Sequence, residues 1–309
     1  MSIGKKNRIK GVERDNFELL FMTLPGVLFT FIFSYLPMIG VIIAFKDFNP
    51  MLGILKSQWV GFENFRFFFE SNDFARLMRN TIGYSLWFLV IENFAAIVLA
   101  ILFYNVTSSK KLKYYQTTAI LPSFMSMVLV AYIVYLFLNP ASGVINSMLV
   151  KLGGEKISWY SEPKYWPVIL TIVQIWKNVG MNSLLYYATM IGIDDALFEA
   201  AEIDGANKLK QIIHVLIPGI SALICLNLIR GVGNLIGGDY GLFYQIPRNV
   251  GALYSTTDVI NSYVFRATQT GSNFGRTAAV GLFSSVVGVI LIVITNSAVR
   301  KIDEEKSMF

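Results

Sequence analysis

Three ionisable side chains stand inside long apolar stretches of this 309-residue sequence: Glu92, Lys177 and Arg230. A charge in hydrocarbon is costly, so such residues face a bundle interior or a water-filled cavity, and they often mark a path for solutes. Amides accompany them: Asn93 beside Glu92, then Gln174, Asn178 and Asn182 around Lys177, and Asn227 and Asn234 around Arg230. On an ideal helix Gln174, Lys177, Asn178 and Asn182 project to one side, as do Asn227, Arg230 and Asn234, because residues three and four apart are neighbours. Two polar stripes on adjacent segments predict a wet passage whose chemistry is hydrogen bonding to a hydrophilic solute. Amides would serve hydroxyl groups, and Trp176, Tyr186 and Tyr187 are near enough in sequence to offer ring faces. The residues alone leave an adhesive role equally open, in which these groups bond helix to helix or Glu92 pairs with Lys177.

No constellation in the chain could run a reaction. His214 is the only histidine and lies next to a loop, where an interface role is expected rather than a proton relay. A zinc site needs more ligands than any one stretch offers. Ser284 and Ser285 sit in an apolar run with no histidine base on a neighbouring one, so nucleophilic catalysis is not expected. The single cysteine, Cys225, excludes a disulfide within the chain. No GxxxxGK[ST] loop occurs, so any ATP would be held elsewhere.

The elements that carry the stripes follow from composition. Hydrophobic residues make up 54% of the chain and charged ones 15%, against about a quarter charged in soluble domains. Lipid is the second apolar solvent this implies. A spanning helix needs about 20 mostly apolar residues, and six stretches qualify: Phe17–Phe45, Arg79–Tyr104, Tyr115–Leu138, Tyr165–Ile191, Ile212–Ile236 and Gly275–Val299. The expected class is an all-α membrane protein with a lead at 1–16, a six-helix domain at 17–299 and a tail at 300–309. Pro25 and Pro37 predict a kink or break in the first span. That span is too long for the apolar core of a cleaved signal peptide, and no small-x-small site follows it.

The net charge of +6 does not point to nucleic acid, because the basic residues cluster between apolar segments. Lys5, Lys6, Arg8, Lys10 and Arg14, then Lys110, Lys111 and Lys113, then Lys208 and Lys210, then Arg300, Lys301 and Lys306 all fall on one side of a six-span topology. Positive residues favour the cytoplasm, so both termini are expected there. On the opposite side, the aromatic and charged stretch 58–80 reads as a helix lying in the headgroup region. The loop 237–271, with Tyr240, Phe243, Tyr244, Tyr254 and Tyr263, reads as interfacial anchors or a receiving surface. Small residues from Gly281 to Gly288 suit close helix packing.

Between the fourth and fifth spans runs IGIDDALFEAAEIDGANKLKQIIHVLIPGI, a cytoplasmic loop expected over 192–212. Ala196, Leu197, Ala200, Ala201 and Ile203 can share one helical face, with Asp194, Asp195, Glu199 and Glu202 towards water. Glycine accepts the left-handed conformation that ends helices, so Asp204-Gly205 predicts a stop. A second helix should begin near Ala206, and Pro218 should mark a change of direction. Small side chains beside a glycine joint suit docking into a groove on another protein.

The wording of that loop resembles the EAA motif of membrane subunits in binding-protein-dependent ABC importers, with Glu199, Ala200, Ala201, Asp204, Gly205, Ala206 and Pro218 matching residue by residue. The segments at 24–50, 257–266 (TDVINSYVFR) and 278–301 extend the likeness over nearly the whole chain, towards the oligosaccharide-importer permeases related to LplB. The resemblance implies that this loop is the coupling helix inserted into an ATP-hydrolysing subunit. It implies a heteromer: a second homologous permease, two ABC ATPases carrying ATP and Mg, and an extracytoplasmic lipoprotein that delivers a sugar. This chain would bind no cofactor itself and would reside as a multi-pass protein in a bacterial plasma membrane. The alternative from the stripes alone is a stand-alone secondary transporter or channel. Internal repeats would favour it, none is evident, and a self-sufficient carrier has no use for a docking helix.

Overall fold

The computed structural model describes residues 19–271 and 273–302, so the expected lead at 1–16 and most of the tail lie outside them. A run of about 20 apolar residues in lipid must satisfy every backbone group internally, and helices do so. Helices accordingly make up nearly all the regular structure. The first, α1, runs over Leu19–Phe45. It winds as a π-helix over Phe31–Tyr35 and as a 3-10 helix over Leu36–Phe45, where Pro37 removes a donor at the start. The winding changes, but the span stays continuous.

The expected all-α class has one exception, a two-residue antiparallel ladder of β1 (Lys46–Asp47) with β2 (Gln58–Trp59). Lys46 is buried under this hairpin, its Nζ donating to the carbonyls of Ile54 at 2.7 Å and of Leu55 and Ser57 at 3.3 Å. The stretch 58–80, expected as one interfacial helix, divides into β2, a short helix α2 (Glu63–Phe69) and the start of α3 (Phe74–Tyr104). The Asn64 amide fixes α2 by donating to the carbonyls of Ala44 and Lys46.

Two of the expected spans are bent. The third consists of α4 (Ser109–Ile120), a 3-10 turn at Leu121–Phe124 and α5 (Met127–Leu138), turned by 98°. Pro122 lies at that turn, where its ring excludes a continuing helix. The fifth consists of α9 (Lys208–Gln211, wound on to Gly219) and α10 (Ser221–Gly233), bent by 58° just after Pro218. Between the two bent segments come α6 (Val144–Lys151), α7 (Trp166–Met190) and α8 (Asp195–Ile203). Four helices are long and apolar enough to cross a membrane, or six segments if each bent pair is one span.

The chain ends with α11 (Ile260–Gln269) and α12 (Phe274–Ile302). The most extensive contact is between α3 and α7, while α12 packs on the 3-10 end of α1, on α10 and on α2. Backbones touch where α7 meets α4: a methyl group on Gly180 would run into the carbonyl of Ala119. Close approach also joins α12 to α10, since a methyl on Gly288 would stand 2.7 Å from the Gly233 carbonyl oxygen. Gly281 meets nothing comparable, so only the C-terminal end of that small-residue run packs tightly.

The connection 237–271 is the part least like a loop. A π-turn at Gly241–Gln245 sinks Leu242, Phe243 and Ile246 into the core, against Phe88, Val130, Trp166 and Val173. This segment therefore re-enters the bundle between α3, α5 and α7. Its far end is clasped to α3 through the fully buried carboxylate of Asp258. Arg266 donates to both its oxygens at 2.8 and 2.9 Å, Arg76 donates at 3.0 Å, and the Ser262 hydroxyl donates at 3.0 Å. Thr81 and Asn80 of α3 complete the clasp by bonding the backbone of Ile260 and Asp258.

Candidate functional site

A cavity of ≈ 440 Å³ opens among α3, α7, α10 and the re-entrant segment. Seven of the nine intramembrane residues singled out by spacing line it: Glu92, Asn93, Gln174, Asn182, Asn227, Arg230 and Asn234. Phe88, Leu89 and Phe243 supply an apolar wall. The stripes converge because α3 and α7 pack along their length and α10 lies against both α3 and α12.

The lining groups divide into two kinds. Two of them, Asn93 and Asn227, are tied together across helices through the buried Tyr186 behind the wall. The Tyr186 hydroxyl donates to Asn93 Oδ1 at 2.6 Å and accepts from Asn227 Nδ2 at 3.0 Å, which links α7 to α3 and α10. Asn93 also donates to the Leu89 carbonyl at 2.6 Å. Two others keep an open valence. Glu92 Oε1 and Gln174 Oε1 are both buried acceptors without a hydrogen-bond partner among the described residues. Buried polar atoms are almost always satisfied, so two idle acceptors on one cavity wall call for donors from water or solute. Arg230, exposed on the facing helix, supplies the opposite chemistry.

Lys177 and Asn178 do not line this cavity, which corrects the placing of both on a common pathway face. Lys177 points instead into the bend of the third segment. Its Nζ donates to the carbonyls of Met125 at 2.6 Å, Ser123 at 3.3 Å and Pro122 at 3.4 Å, while the Ser123 hydroxyl donates to the Lys177 carbonyl. The turn leaves the Ser123 and Met125 carbonyls without a backbone donor and the ammonium satisfies them, while the Pro122 carbonyl also accepts from the Met125 amide at 3.1 Å. Glu92 makes no ion pair with it within 4 Å among the described residues. Trp176 is 43% exposed, and Tyr187 packs edge-on to Phe103, so neither ring faces the cavity.

The structure adds lining residues that spacing did not single out. Asp239 and Asn261 come from the re-entrant connection and α11. Asp239 Oδ1 accepts from the amides of Gly241 and Leu242 and so starts the π-turn, while Asn261 donates to the Gly238 carbonyl. An acid between glycines and an aromatic run (GGDYGLFY) was the available signal, but a loop reading hides it.

At the opposite end of α7 from its N-terminus, α8 projects from the bundle with no buried residue. Asp194 Oδ1 caps it by accepting from the Ala196 amide at 3.0 Å. Gly205, at φ +74°, ends it: its amide donates to the Glu202 carbonyl and that of Ala206 to the Ala201 carbonyl. This pair of bonds is a Schellman stop, which needs the left-handed residue that glycine supplies. Leu197 and Ile203 are 55% and 87% exposed. The acidic face lies towards water as expected, with Asp194, Asp195, Glu199 and Glu202 all exposed, and the last three also line an open ≈ 300 Å³ cleft against Tyr104, Lys208 and Gln211. Phe198 stacks on Tyr104 at 5.9 Å and holds the helix to α3. Pro218 precedes the 58° bend, as a change of direction there requires. His214 is exposed, with Nδ1 3.0 Å from the Lys210 carbonyl oxygen.

The sequence profile of the binding-protein-dependent transport system inner membrane components matches residues 93–304. The chain belongs to that family. Among relatives of this inner membrane component, protein LplB of Bacillus subtilis is 35% identical over 294 residues, covering 95% of this chain and 92% of its own. The polygalacturonan/rhamnogalacturonan transport system permease protein YteP of the same organism is 33% identical, covering 93% and 89%. A crystal structure of a bacterial ABC transporter involved in the import of the acidic polysaccharide alginate superposes with a TM-score of 0.85 at 32% identity, covering 96% of this chain and 99% of that one. A second structure of a bacterial alginate ABC transporter, in complex with an alginate pentasaccharide-bound periplasmic protein, gives 0.84 at 31% identity. The fold of this component is thus that of an ABC importer's membrane subunit, and the chain is a permease, not an enzyme. Nothing among these relatives supports the secondary-transporter alternative.

Proposed function

We propose that this chain is one permease of an ATP-driven importer for oligosaccharides or polysaccharide fragments. The observation that carries the reading is the cavity on α3, α7 and α10, where idle acceptors on Glu92 and Gln174 face Arg230 across an amide-rich wall. A polyhydroxylated solute offers both the donors and the acceptors that such a wall lacks. The names of the relatives point the same way, since polygalacturonan, rhamnogalacturonan and alginate are all polysaccharides.

In this reading each bent pair is one span, the domain at 17–299 crosses the membrane six times, and both termini are cytoplasmic beside the basic loops. The cavity forms half of a translocation pathway, and a second homologous permease forms the rest. The loop at 192–212 is the coupling element: Glu199, Ala200, Ala201, Asp204, Gly205, Ala206 and Pro218 shape a helix whose exposed Leu197 and Ile203 enter a groove on an ATPase subunit. Two such ATPases hold ATP and Mg, and an extracytoplasmic binding protein delivers the sugar. Closure of the ATPases moves α8, and Phe198 on Tyr104 passes that movement to α3 and the cavity wall.

The test is sugar-stimulated ATP hydrolysis by the purified complex with its binding protein, comparing wild type with Glu199→Lys combined with Gly205→Pro. Collapse of stimulated hydrolysis in an intact permease pair supports the reading. Substrate movement by this chain alone in liposomes, indifferent to those changes, would overturn it.

A further inference from the structure

A second, smaller pocket of ≈ 220 Å³ lies at the far end from α8, between α5 and the re-entrant segment. Tyr132 and Tyr135 of α5 form one wall, and Tyr244, Gln245, Arg248 and Asn249 form the other. Tyr132 is 62% exposed. Arg248 lies over the Tyr135 ring, 4.0 Å from its centre, and no carboxylate of the described residues is within ion-pair reach of it. The Asn249 Oδ1 is taken by the Tyr254 hydroxyl at 2.8 Å, which leaves its amide nitrogen for another acceptor.

The backbone here turns sharply: the amides of Arg248, Asn249 and Val250 donate to the carbonyls of Gln245, Tyr244 and Pro247, which ends the π-helix and makes a tight turn. Arg248 and Asn249 are the only non-glycine residues of the described chain with positive φ, at 57° and 52°, and they are consecutive. Asparagine visits this region routinely, whereas arginine does so at a cost on the order of 1 kcal/mol. The turn places Arg248 beside Tyr135 on the pocket wall.

We propose that this pocket is an outer subsite for one uronate residue of the imported saccharide. An arginine fork matches a carboxylate with two parallel hydrogen bonds. Tyr132 offers a flat face for the apolar side of a pyranose ring, and the Gln245 and Asn249 amides bond its hydroxyls. The inference rests on the saccharide-importer reading and adds a place and a charge to it. The same π-turn that supplies Tyr244 and Gln245 to this pocket turns Phe243 into the main cavity, so occupancy here bears on the wall of the translocation path.

The experiment uses the complete transporter in lipid nanodiscs without its binding protein, and saturation-transfer NMR with a galacturonate trisaccharide and a neutral galactose trisaccharide. Wild type should give a transfer signal with the uronate at least threefold stronger than with the neutral sugar. Arg248→Gln should remove that preference, and Tyr132→Ala should weaken transfer from both sugars. No uronate preference in wild type, or an unchanged preference in Arg248→Gln, overturns the subsite. ATPase stimulation measured after the binding protein is added to the same nanodiscs separates the two ideas. If stimulation by saccharide persists while the NMR preference fails, only the subsite falls; if no saccharide stimulates wild type, the importer reading falls as well.

Discussion

The ammonium of Lys177 on α7 donates to the Met125 carbonyl at 2.6 Å, across the 98° bend between α4 and α5. A broken helix inside a membrane leaves carbonyls that no water can reach, and each costs about 1–3 kcal/mol if unpaired. One charged side chain meets two of them, at Ser123 and Met125, and adds a second donor to the Pro122 carbonyl that the Met125 amide already reaches. The cation also sits at the C-terminal end of α4, where the helix dipole favours positive charge. Lys177 is therefore the joint of the third segment, not part of the cavity.

Replacing it should destabilise rather than selectively block transport. Lys177→Met removes the donor and keeps the stem, so the loss is expected at about 2–4 kcal/mol, from orphaned carbonyls. Thermal unfolding of the detergent-solubilised complex reads this directly. A Lys177→Met protein with wild-type melting and lowered transport would return Lys177 to the pathway.

Tyr186 gives a second separation of adhesion from passage. Its hydroxyl bonds Asn93 and Asn227 on two other helices. Hydrogen bonds between membrane helices average about 0.6 kcal/mol each, so Tyr186→Phe should cost about 1 kcal/mol and lower the melting temperature by a few degrees. Transport per folded complex should change little. A large transport defect at unchanged stability would mean that this hydroxyl serves the solute.

The different fates of these residues show how far the sequence could be read. Spacing on a helix places Gln174, Asn182, Asn227, Arg230 and Asn234 on the cavity, because a helical face is a local property. It also places Lys177 and Asn178 there, and fails, because a residue at the edge of a stripe is assigned by whichever neighbour packs against it. For Lys177 that neighbour is a bend made by Pro122, 55 residues away in sequence. Gly205 was legible for the opposite reason: a Schellman stop involves only residues 201–206. The re-entry of Leu242 and Phe243 was not legible. A short aromatic run among glycines has no period that distinguishes a loop from a core segment.

Arg230 and Glu92 carry the prediction for the pathway itself. Both line the cavity, and neither makes an ion pair among the described residues. Glu92→Gln keeps volume, Arg230→Gln shortens an exposed side chain, and neither glutamine can carry a charge, so assembly should be retained. Uptake at limiting sugar should fall about tenfold in at least one of them, which corresponds to about 1.4 kcal/mol of lost interaction. Wild-type uptake in both, measured in proteoliposomes with the full complex, would mean that the saccharide passes elsewhere.

Asp258 tests the outer clasp. Its carboxylate is fully buried, while Arg76 and Arg266 remain 31% and 18% exposed at the side chain. Breaking a buried ion pair by removing one partner costs about 3–5 kcal/mol, and the partial exposure of both arginines places Asp258→Asn near the low end, at about 3 kcal/mol. The asparagine keeps one acceptor for Ser262 or an arginine, but leaves Arg266 beside a neutral amide, while Arg76 keeps its second carboxylate, Asp73, at 2.9 Å. The damage should be local, because the clasp joins α11 to α3 and does not touch α8. Hydrogen exchange of the complex should therefore quicken over residues 254–269 and over the first turns of α3, with α8 unchanged. Exchange that quickens equally throughout the bundle would mean that the clasp is part of the global fold rather than a fastening of the re-entrant segment.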